Sequence, residues 1–340
     1  MNNNITKFWL KHYPKDVPTE IDPSRYRSLV HLLEESFRKF AGQNAYVCMD
    51  KRLTYAEVDD HSRKLGGWLQ STGMEKGGRV AVMMPNVLQY PIAVAAVLRA
   101  GYTVVNVNPL YTARELEHQL RDSGAEAIII LENFATTLER VIDRTQVKHV
   151  VVADMGEMLG GVKGPLVNFA VRRVKKLVPP YSLPGASRFR EALTEGARIG
   201  FEPVSLEHDD IAFLQYTGGT TGVSKGATLT HRNVIANVLQ NDAWARPALK
   251  KEIGDGELTI VCALPLYHIL GLTACMLMGT RWGAKNILIP NPRDIAGVVK
   301  ELVKYRFNFF PGVNTLFNGL MNNVSANKSA PTSCPRDCAH

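Results

Sequence analysis

The stretch Ile211-Ala212-Phe213-Leu214-Gln215-Tyr216-Thr217-Gly218-Gly219-Thr220-Thr221-Gly222-Val223-Ser224-Lys225-Gly226 joins an apolar run to a loop of glycine, threonine and serine. Ile211 to Gln215 predicts a buried strand. In the loop, glycines let the backbone approach an anion at φ > 0, while successive N–H groups and the Thr220, Thr221 and Ser224 hydroxyls are donors. Lys225 adds a charge that meets polyphosphate. Further on, Thr230-His231-Arg232-Asn233 followed by Val234, Ile235 and Val238 predicts the start of a helix. Strand, glycine loop and helix in that order form an anion site.

Spacing narrows the reading. A Walker loop needs Gly-Lys-[ST] after Gly and four residues, and here Lys225 stands between Ser224 and Gly226, so a P-loop NTPase is excluded. Gly222-Val223-Ser224-Lys225-Gly226 matches the G-x-S-x-G of a nucleophile elbow, which puts its serine on a sharp turn directly after a strand. A run of Thr and Gly separates Gln215 from Ser224, so that context is missing. A serine hydrolase using Ser224, His268 and Asp255 stays as an alternative.

Outward from the loop, apolar runs alternate with helical patterns, which predicts an α/β fold with largely parallel sheets. Strands are predicted at Val80 to Met84, Tyr102 to Val107, Ala127 to Leu131, His149 to Ala153, Ile211 to Gln215, Thr259 to Leu264, Asn286 to Ile289 and Phe307 to Phe310. Helices are predicted at Leu29 to Phe40, Tyr55 to Ser71, Val87 to Ala100, Arg114 to Asp122, His231 to Asp242 and Ile295 to Lys304. In the first of these, Leu29, Leu32, Leu33, Phe37 and Phe40 make one buried stripe. Gly161 to Gly185 breaks the rhythm. There Val167, Ala170, Val171, Val174, Leu177 and Val178 can share one helical face, with Arg172, Arg173, Lys175 and Lys176 opposite, as in a helix that lies on an anionic membrane. An insertion packed on its own domain is the plainer reading.

Tyr216 to Gly226 is similar to the signature loop of the acyl-adenylate-forming enzymes. From about Arg27 to about Asn323 the chain resembles bacterial long-chain fatty acid CoA ligases, through Leu53-Thr54-Tyr55, Met84-Pro85-Asn86, Ala100-Gly101-Tyr102, Asn106-Val107-Asn108-Pro109-Leu110-Tyr111 and Leu264-Pro265-Leu266-Tyr267-His268. Ser224 stands where the commoner loop has proline. The resemblance implies that a fatty acid carboxylate attacks the α-phosphorus of ATP and that the CoA thiol then displaces AMP, with Mg2+ on the phosphates. It implies that Thr217, Gly218, Gly219, Thr220, Thr221 and Gly222 clamp the β and γ phosphates, within a nucleotide loop that runs from Tyr216 to Ser224, Lys225 and Gly226. His268 is implied beside the carboxylate and adenylate, with Tyr267 packing next to it. Gly312 and Val313 are implied on the acyl pocket.

The resemblance also sets the expected domains. Residues 1–26 read as an N-terminal extension, 27–323 as an incomplete adenylation domain carrying the 161–185 insertion, and 324–340 as a divergent tail. The family's Tyr-Gly-x-Thr-Glu segment, ribose aspartate, hinge and small domain do not occur in this sequence. The tail, rich in Pro, Ser and Cys, reads as out-of-frame or chimeric sequence, and impaired turnover is expected. A remnant that binds ATP or acyl chains without turnover is a further alternative.

At 340 residues, with 45% hydrophobic and 21% charged residues, the composition is that of a globular protein with a well-buried core. The formal charge of +8 favours anionic partners such as nucleotides, CoA or a lipid surface. No feature points to nucleic acid. Cys48, Cys262 and Cys275 read as reduced core residues. Cys334, Cys338 and His340 lack the second ligand pair of a zinc site, so no protein-held metal is expected. The absence of a signal-peptide core and of a spanning run predicts a cytoplasmic protein, peripheral on the inner membrane if the basic segment meets lipid.

Overall fold

Short polar caps start the helices that the apolar periodicity predicts. Ser28 Oγ accepts the His31 N–H at 3.2 Å ahead of the helix Leu29–Lys39. Thr54 with Glu57, and Thr112 with Glu115, form reciprocal capping boxes that open Tyr55–Ser71 and Ala113–Ser123. Gly124, at φ 64°, ends the last of these in the left-handed region. The computed structural model describes residues 7–218, 224–253 and 256–322.

Among the described residues the strands are β1 (Asn44–Cys48), β2 (Lys51–Thr54), β3 (Arg79–Met83), β4 (Thr103–Asn106), β5 (Ala127–Leu131), β6 (His149–Ala153), β7 (Ser187–Arg188), β8 (Ile211–Thr217), β9 (Lys225–Thr230), β10 (Thr259–Cys262) and β11 (Lys285–Leu288). They form a smaller sheet, β10-β11-β1-β2, and a larger one, β7-β6-β5-β3-β4-β8-β9. All pairings are parallel except β1 with β2 and β8 with β9, so the predicted α/β class with largely parallel sheets holds.

Successive strand residues face opposite ways, and each face finds its own core. Val80, Val82, Val104 and Ile129 pack with the helices Leu29–Lys39, Tyr55–Ser71 and Gln89–Arg99, while Ala81, Met83, Val105 and Ile128 pack with Ala113–Ser123. The first core also takes in Tyr46, Ile260 and Leu288 of the smaller sheet. Val47, Val261 and Ile287 on the other face of that sheet meet Val298 and Leu316 of the outer helices Ile295–Lys304 and Asn314–Met321. The result is five layers, α/β/α/β/α. Every residue of Gln89–Arg99 is buried, as a helix between two sheets requires, and Arg99 is neutralised by Asp59 and Glu34.

The structure corrects several expectations. Phe307 to Phe310 forms no full strand, only a parallel bridge from Phe309 to Ile260. The β1–β2 hairpin has no glycine or proline to announce it, because Met49 and Asp50 take positive φ of 47° and 68° at its turn. The helix from His231 runs on to Ile253, past Asp242, with Pro247 inside it. Phe189–Ile199, Ile269–Gly271 with the wide turn after it, and Asn314–Met321 are helical without having been predicted.

In the 161–185 segment, Lys163–Phe169 is helical and leads into a wide turn at Ala170–Val174. Arg172 keeps part of its side chain in solvent but, unlike its basic neighbours, is tied to carboxylates. It grips the buried Glu132 through Nε at 3.0 Å and Nη2 at 2.6 Å, and reaches Asp154 at 2.9 Å, because a buried carboxylate needs a paired cation. The apolar side is divided too. Val167 and Val171 pack inward, while Val162, Leu166, Phe169, Val174 and Leu177 are exposed.

Candidate functional site

The hairpin β8–β9 pairs Tyr216 with Gly226 and Thr217 with Lys225. Lys225 therefore opens a strand, and the helix His231–Ile253 starts at the far end of the hairpin, where Thr230 pairs with Ile211. Six strand residues at about 3.4 Å each, roughly 20 Å, separate that helix end from the loop. The predicted strand, loop and helix become strand, loop, strand and helix, and the helix N-terminus takes no part at the loop. Gly219, Thr220, Thr221 and Gly222 lie outside the described residues. Thr217, Gly218 and Lys225 are exposed at the mouth of the hairpin, with Ser224 beside them.

Tyr216 and Gly226 brace the hairpin. The Tyr216 phenol donates to Asp122 Oδ2 at 2.5 Å, and burial together with that carboxylate raises its pKa. A Cβ at Gly226 would come within 2.9 Å of the Tyr216 ring, so glycine is needed there for packing. Ser224 directly precedes β9, with its carbonyl oxygen 3.1 Å from His118 Nε2. A serine in an antiparallel hairpin is not on a strand-to-helix elbow, which removes the ground for the hydrolase reading. Asp255, its proposed third member, lies outside the described residues.

A buried polar network carries the loop strand to the Leu264-Pro265-Leu266-Tyr267-His268 turn. Gln215 Nε2 donates to the Tyr267 carbonyl at 2.8 Å and its Oε1 accepts from Asn106 at 3.0 Å. Tyr90 OH reaches Asn106 Oδ1 at 2.6 Å and the Leu266 carbonyl at 2.9 Å. Asn86 donates to the Cys262 and Leu264 carbonyls and accepts the Leu266 N–H. Only Tyr216 separates Gln215 from Thr217, so this bond ties the start of the glycine loop to the Tyr267–His268 turn. The rings of Tyr267 and His268 are 4.8 Å apart. Partial burial lowers the His268 pKa, which keeps the imidazole neutral at pH 7 with one nitrogen donating and one accepting.

Next to this turn lies a crevice of about 440 Å³ between the carboxyl ends of the two sheets. Asn86 lines it after β3, Leu110 after β4, Phe134 after β5, Met155 after β6, Tyr267 after β10 and Arg293 after β11. Open parallel sheets hold ligands at this edge, where successive connections diverge. Here β4 flanks β3 on one side and β5 on the other. Leu177 of the insertion closes one end, its carbonyl held by Asn133 Nδ2 at 3.2 Å. Asn133 Oδ1 is buried and has no hydrogen-bond partner among the described residues.

His268, Gly312 and Val313 do not line this crevice. The Phe309 bridge sets Gly312 alongside the carboxyl end of β10, but a Cβ on Gly312 would come within 2.8 Å of Phe317. Its small size makes room for that ring. Val313 is an exposed cap of Asn314–Met321. Gln215, Asn133 and Arg293 escaped sequence reading, since single polar residues in apolar or loop text carry no period. Among the described residues no group of three or more His, Cys, Asp or Glu side chains is placed to hold a metal ion.

The family described as AMP-binding enzyme matches residues 33–336. This chain belongs to the AMP-binding enzyme family. This chain is 55% identical over 318 residues to a long-chain-fatty-acid--CoA ligase of Escherichia coli O157:H7, covering 93% of this chain and 56% of that protein. To the ligase of the same description from Bacillus subtilis (strain 168) it is 34% identical over 320 residues, covering 93% and 55%. Among solved structures, a long-chain-fatty-acid-CoA ligase from Archaeoglobus fulgidus aligns with a TM-score of 0.71 at 24% identity, over 92% of this chain and 57% of that one. That likeness establishes the fold. This chain thus spans about half the length of the curated relatives it matches.

Proposed function

We propose that the whole protein activates a long-chain fatty acid. The acid's carboxylate oxygen attacks the α-phosphorus of ATP, the α–β phosphoanhydride bond breaks and pyrophosphate leaves. The CoA thiol sulfur then attacks the acyl carbon, AMP leaves and the thiol gives up its proton. The observation that carries this reading is the Gln215 bond to the Tyr267 carbonyl, which joins an anion loop to an aromatic turn beside an apolar crevice. Lys225 and the loop donors would hold the β and γ phosphates, and Thr217 and Gly218 stand at the mouth where those phosphates enter. The His268 imidazole, neutral at pH 7, has a donor for the carboxylate oxygen or the adenylate. Magnesium would arrive on ATP as part of the substrate. The crevice takes an elongated apolar arm, alkyl chain or pantetheine, and the unpaired Asn133 oxygen suits the amide N–H groups of the latter.

Nucleotide binding is the testable core of this assignment. MgATP is expected to raise the melting temperature of the chain, and Lys225→Ala to weaken the apparent affinity at least ~10-fold, the loss of one charge-assisted contact. A shift of the same size in the variant, or none in the parent, refutes the role of the loop.

We further propose that the protein works in the cytoplasm with Val162, Leu166, Phe169, Val174 and Leu177 against an anionic membrane. Those side chains are exposed, Arg173, Lys175 and Lys176 lie beside them, and Leu177 also lines the crevice. The three described cysteines are free and buried, which suits a reducing compartment. Among the described residues no helix is long and apolar enough to cross a membrane. The partition coefficient onto phosphatidylglycerol vesicles, read by co-sedimentation, is expected to fall about 100-fold when Arg173, Lys175 and Lys176 are changed to glutamine, at about 1 kcal/mol per charge. Binding unchanged by the triple substitution would rule this surface out. Arg172 is left intact because it holds Glu132.

A further inference from the structure

One wall of the crevice is made of two pieces held together mainly by hydrogen bonds. The first is the pair of helical turns Glu132–Phe134 and Ala135–Glu139 that follow β5. The second is the run 177–184, which carries Pro179, Pro180 and Pro184 and belongs to no helix or strand. Asn133 Nδ2 donates to the Leu177 carbonyl at 3.2 Å, Thr136 Oγ1 to the Pro179 carbonyl at 3.5 Å, and the Ser182 N–H to Glu139 Oε1 at 3.0 Å. Positions 133, 136 and 139 recur every three residues, so the three staples lie along one side of the turns.

Apolar burial adds little to these bonds. From 172 to 188 no residue is buried, and Leu177 is 52% exposed although it closes the crevice. Only Tyr181 and Leu183 of the run rest, half-buried, against the core of the larger sheet. A stretch with few buried contacts and exposed hydrogen bonds opens at a lower free energy than the strands beside it. The run also has a joint at each end. Lys176 has φ 50° and Gly185 has φ 77°, both in the left-handed region, and lysine is held there against its preference. Between the joints the prolines fix their own φ and restrict the residue ahead of each, so the run is stiff and the bending falls on its ends.

We infer that residues 177–184 form a hinged strap that swings about Lys176 and Gly185 to open the Leu177 end of the crevice and admit the apolar arm of a substrate. Asn133, Thr136 and Glu139 are the positioning residues that hold it shut. The admission step rests on the reading that the crevice takes such an arm. A lid of this kind governs how fast a ligand enters and leaves, and the pocket behind it governs how tightly the ligand is held.

The test uses the full 340-residue chain, with amide exchange and stopped-flow binding of dansyl-undecanoate, a fluorescent fatty acid. The Leu177 and Ser182 amides are both hydrogen-bonded, yet they are expected to exchange about 100-fold faster than the bonded amides of β6. Thr136→Val with Glu139→Ala removes two staples at partly exposed positions. Leu177 exchange should then rise about tenfold, although its own bond to the Val171 carbonyl at 3.0 Å is untouched. Dansyl-undecanoate should bind and leave about fivefold faster, its dissociation constant holding within about twofold. Thr136→Ser with Glu139→Gln, which keeps a hydroxyl and a carbonyl oxygen at the two staples, should restore the parent rates. Leu177 exchange as slow as that of β6 overturns the inference, as do unchanged binding rates in a double variant that still melts like the parent. Affinity lost through faster release alone also overturns it, because the run is then part of the pocket and not its door. A chain that binds no dansyl-undecanoate removes the admission step together with the crevice reading, and the exchange data separate that failure from a strap that does not move.

Discussion

Asn86→Ala is expected to destabilise the protein by about 3–5 kcal/mol, close to half the stability of an ordinary domain. Asn86 is 2% exposed and holds the turn before the aromatic pair with three hydrogen bonds, at 2.9, 2.9 and 2.8 Å. Alanine would leave the Leu264 carbonyl and the Leu266 N–H without these partners where water does not reach, at about 1–3 kcal/mol each before relaxation, while the Cys262 carbonyl keeps the Ile289 N–H at 3.0 Å. It would also cut a link between the loop after β3 and the end of β10, so Tyr267 and its crevice should loosen together with the fold. Urea titration checks this through a lowered midpoint at unchanged slope. A loss below about 1 kcal/mol would mean that the network is ornamental.

Gly196→Ala is expected to cost about 3 kcal/mol or more, although it only adds a methyl group to a helix, where alanine is intrinsically favoured. A Cβ there would lie 1.8 Å from the Lys64 carbonyl oxygen and 2.9 Å from the Trp68 nitrogen, both backbone atoms of the neighbouring helix. Gly67 makes the reciprocal approach, its Cβ position 2.1 Å from the Gly200 oxygen. No side chain can move aside, so Phe189–Ile199 must back away from Tyr55–Ser71 and expose their shared core. Gly42→Ala is the control. Nothing lies within 4 Å of its Cβ position and it carries no positive φ, so a change within about 0.5 kcal/mol is expected. Equal melting temperatures for the two variants would show that the helix contact tolerates separation.

Much of the fold is legible from periodicity alone. Ala127–Leu131, His149–Ala153, Tyr55–Ser71 and Ile295–Lys304 stand where apolar spacing and caps predict them. Burial on one or both faces leaves a direct mark on the residues that suffer it. The hairpin β8–β9 was not legible beyond its first strand. Lys225–Thr230 alternates weakly and has no buried residue, so its strand state comes from pairing with Ile211–Thr217 and not from its own residues.

Part of the site follows the same division. Sequence marked the glycine loop and the Tyr267–His268 turn as chemistry-bearing, because glycine, threonine, lysine and histidine in that density serve little else. It gave no sign that the missing side chain of Gly312 makes room for Phe317, a neighbour that only folding supplies. It also gave no sign that Arg172, still partly exposed, is set on the buried Glu132. By itself the sequence determined the α/β class, the main strands and helices, and the residue types gathered at the glycine loop, since each rests on local spacing. The tertiary structure decided what Gln215, Asn86 and Asn133 do, and where the crevice opens between the sheets. Those depend on contacts between residues up to 180 positions apart, and no local pattern encodes them.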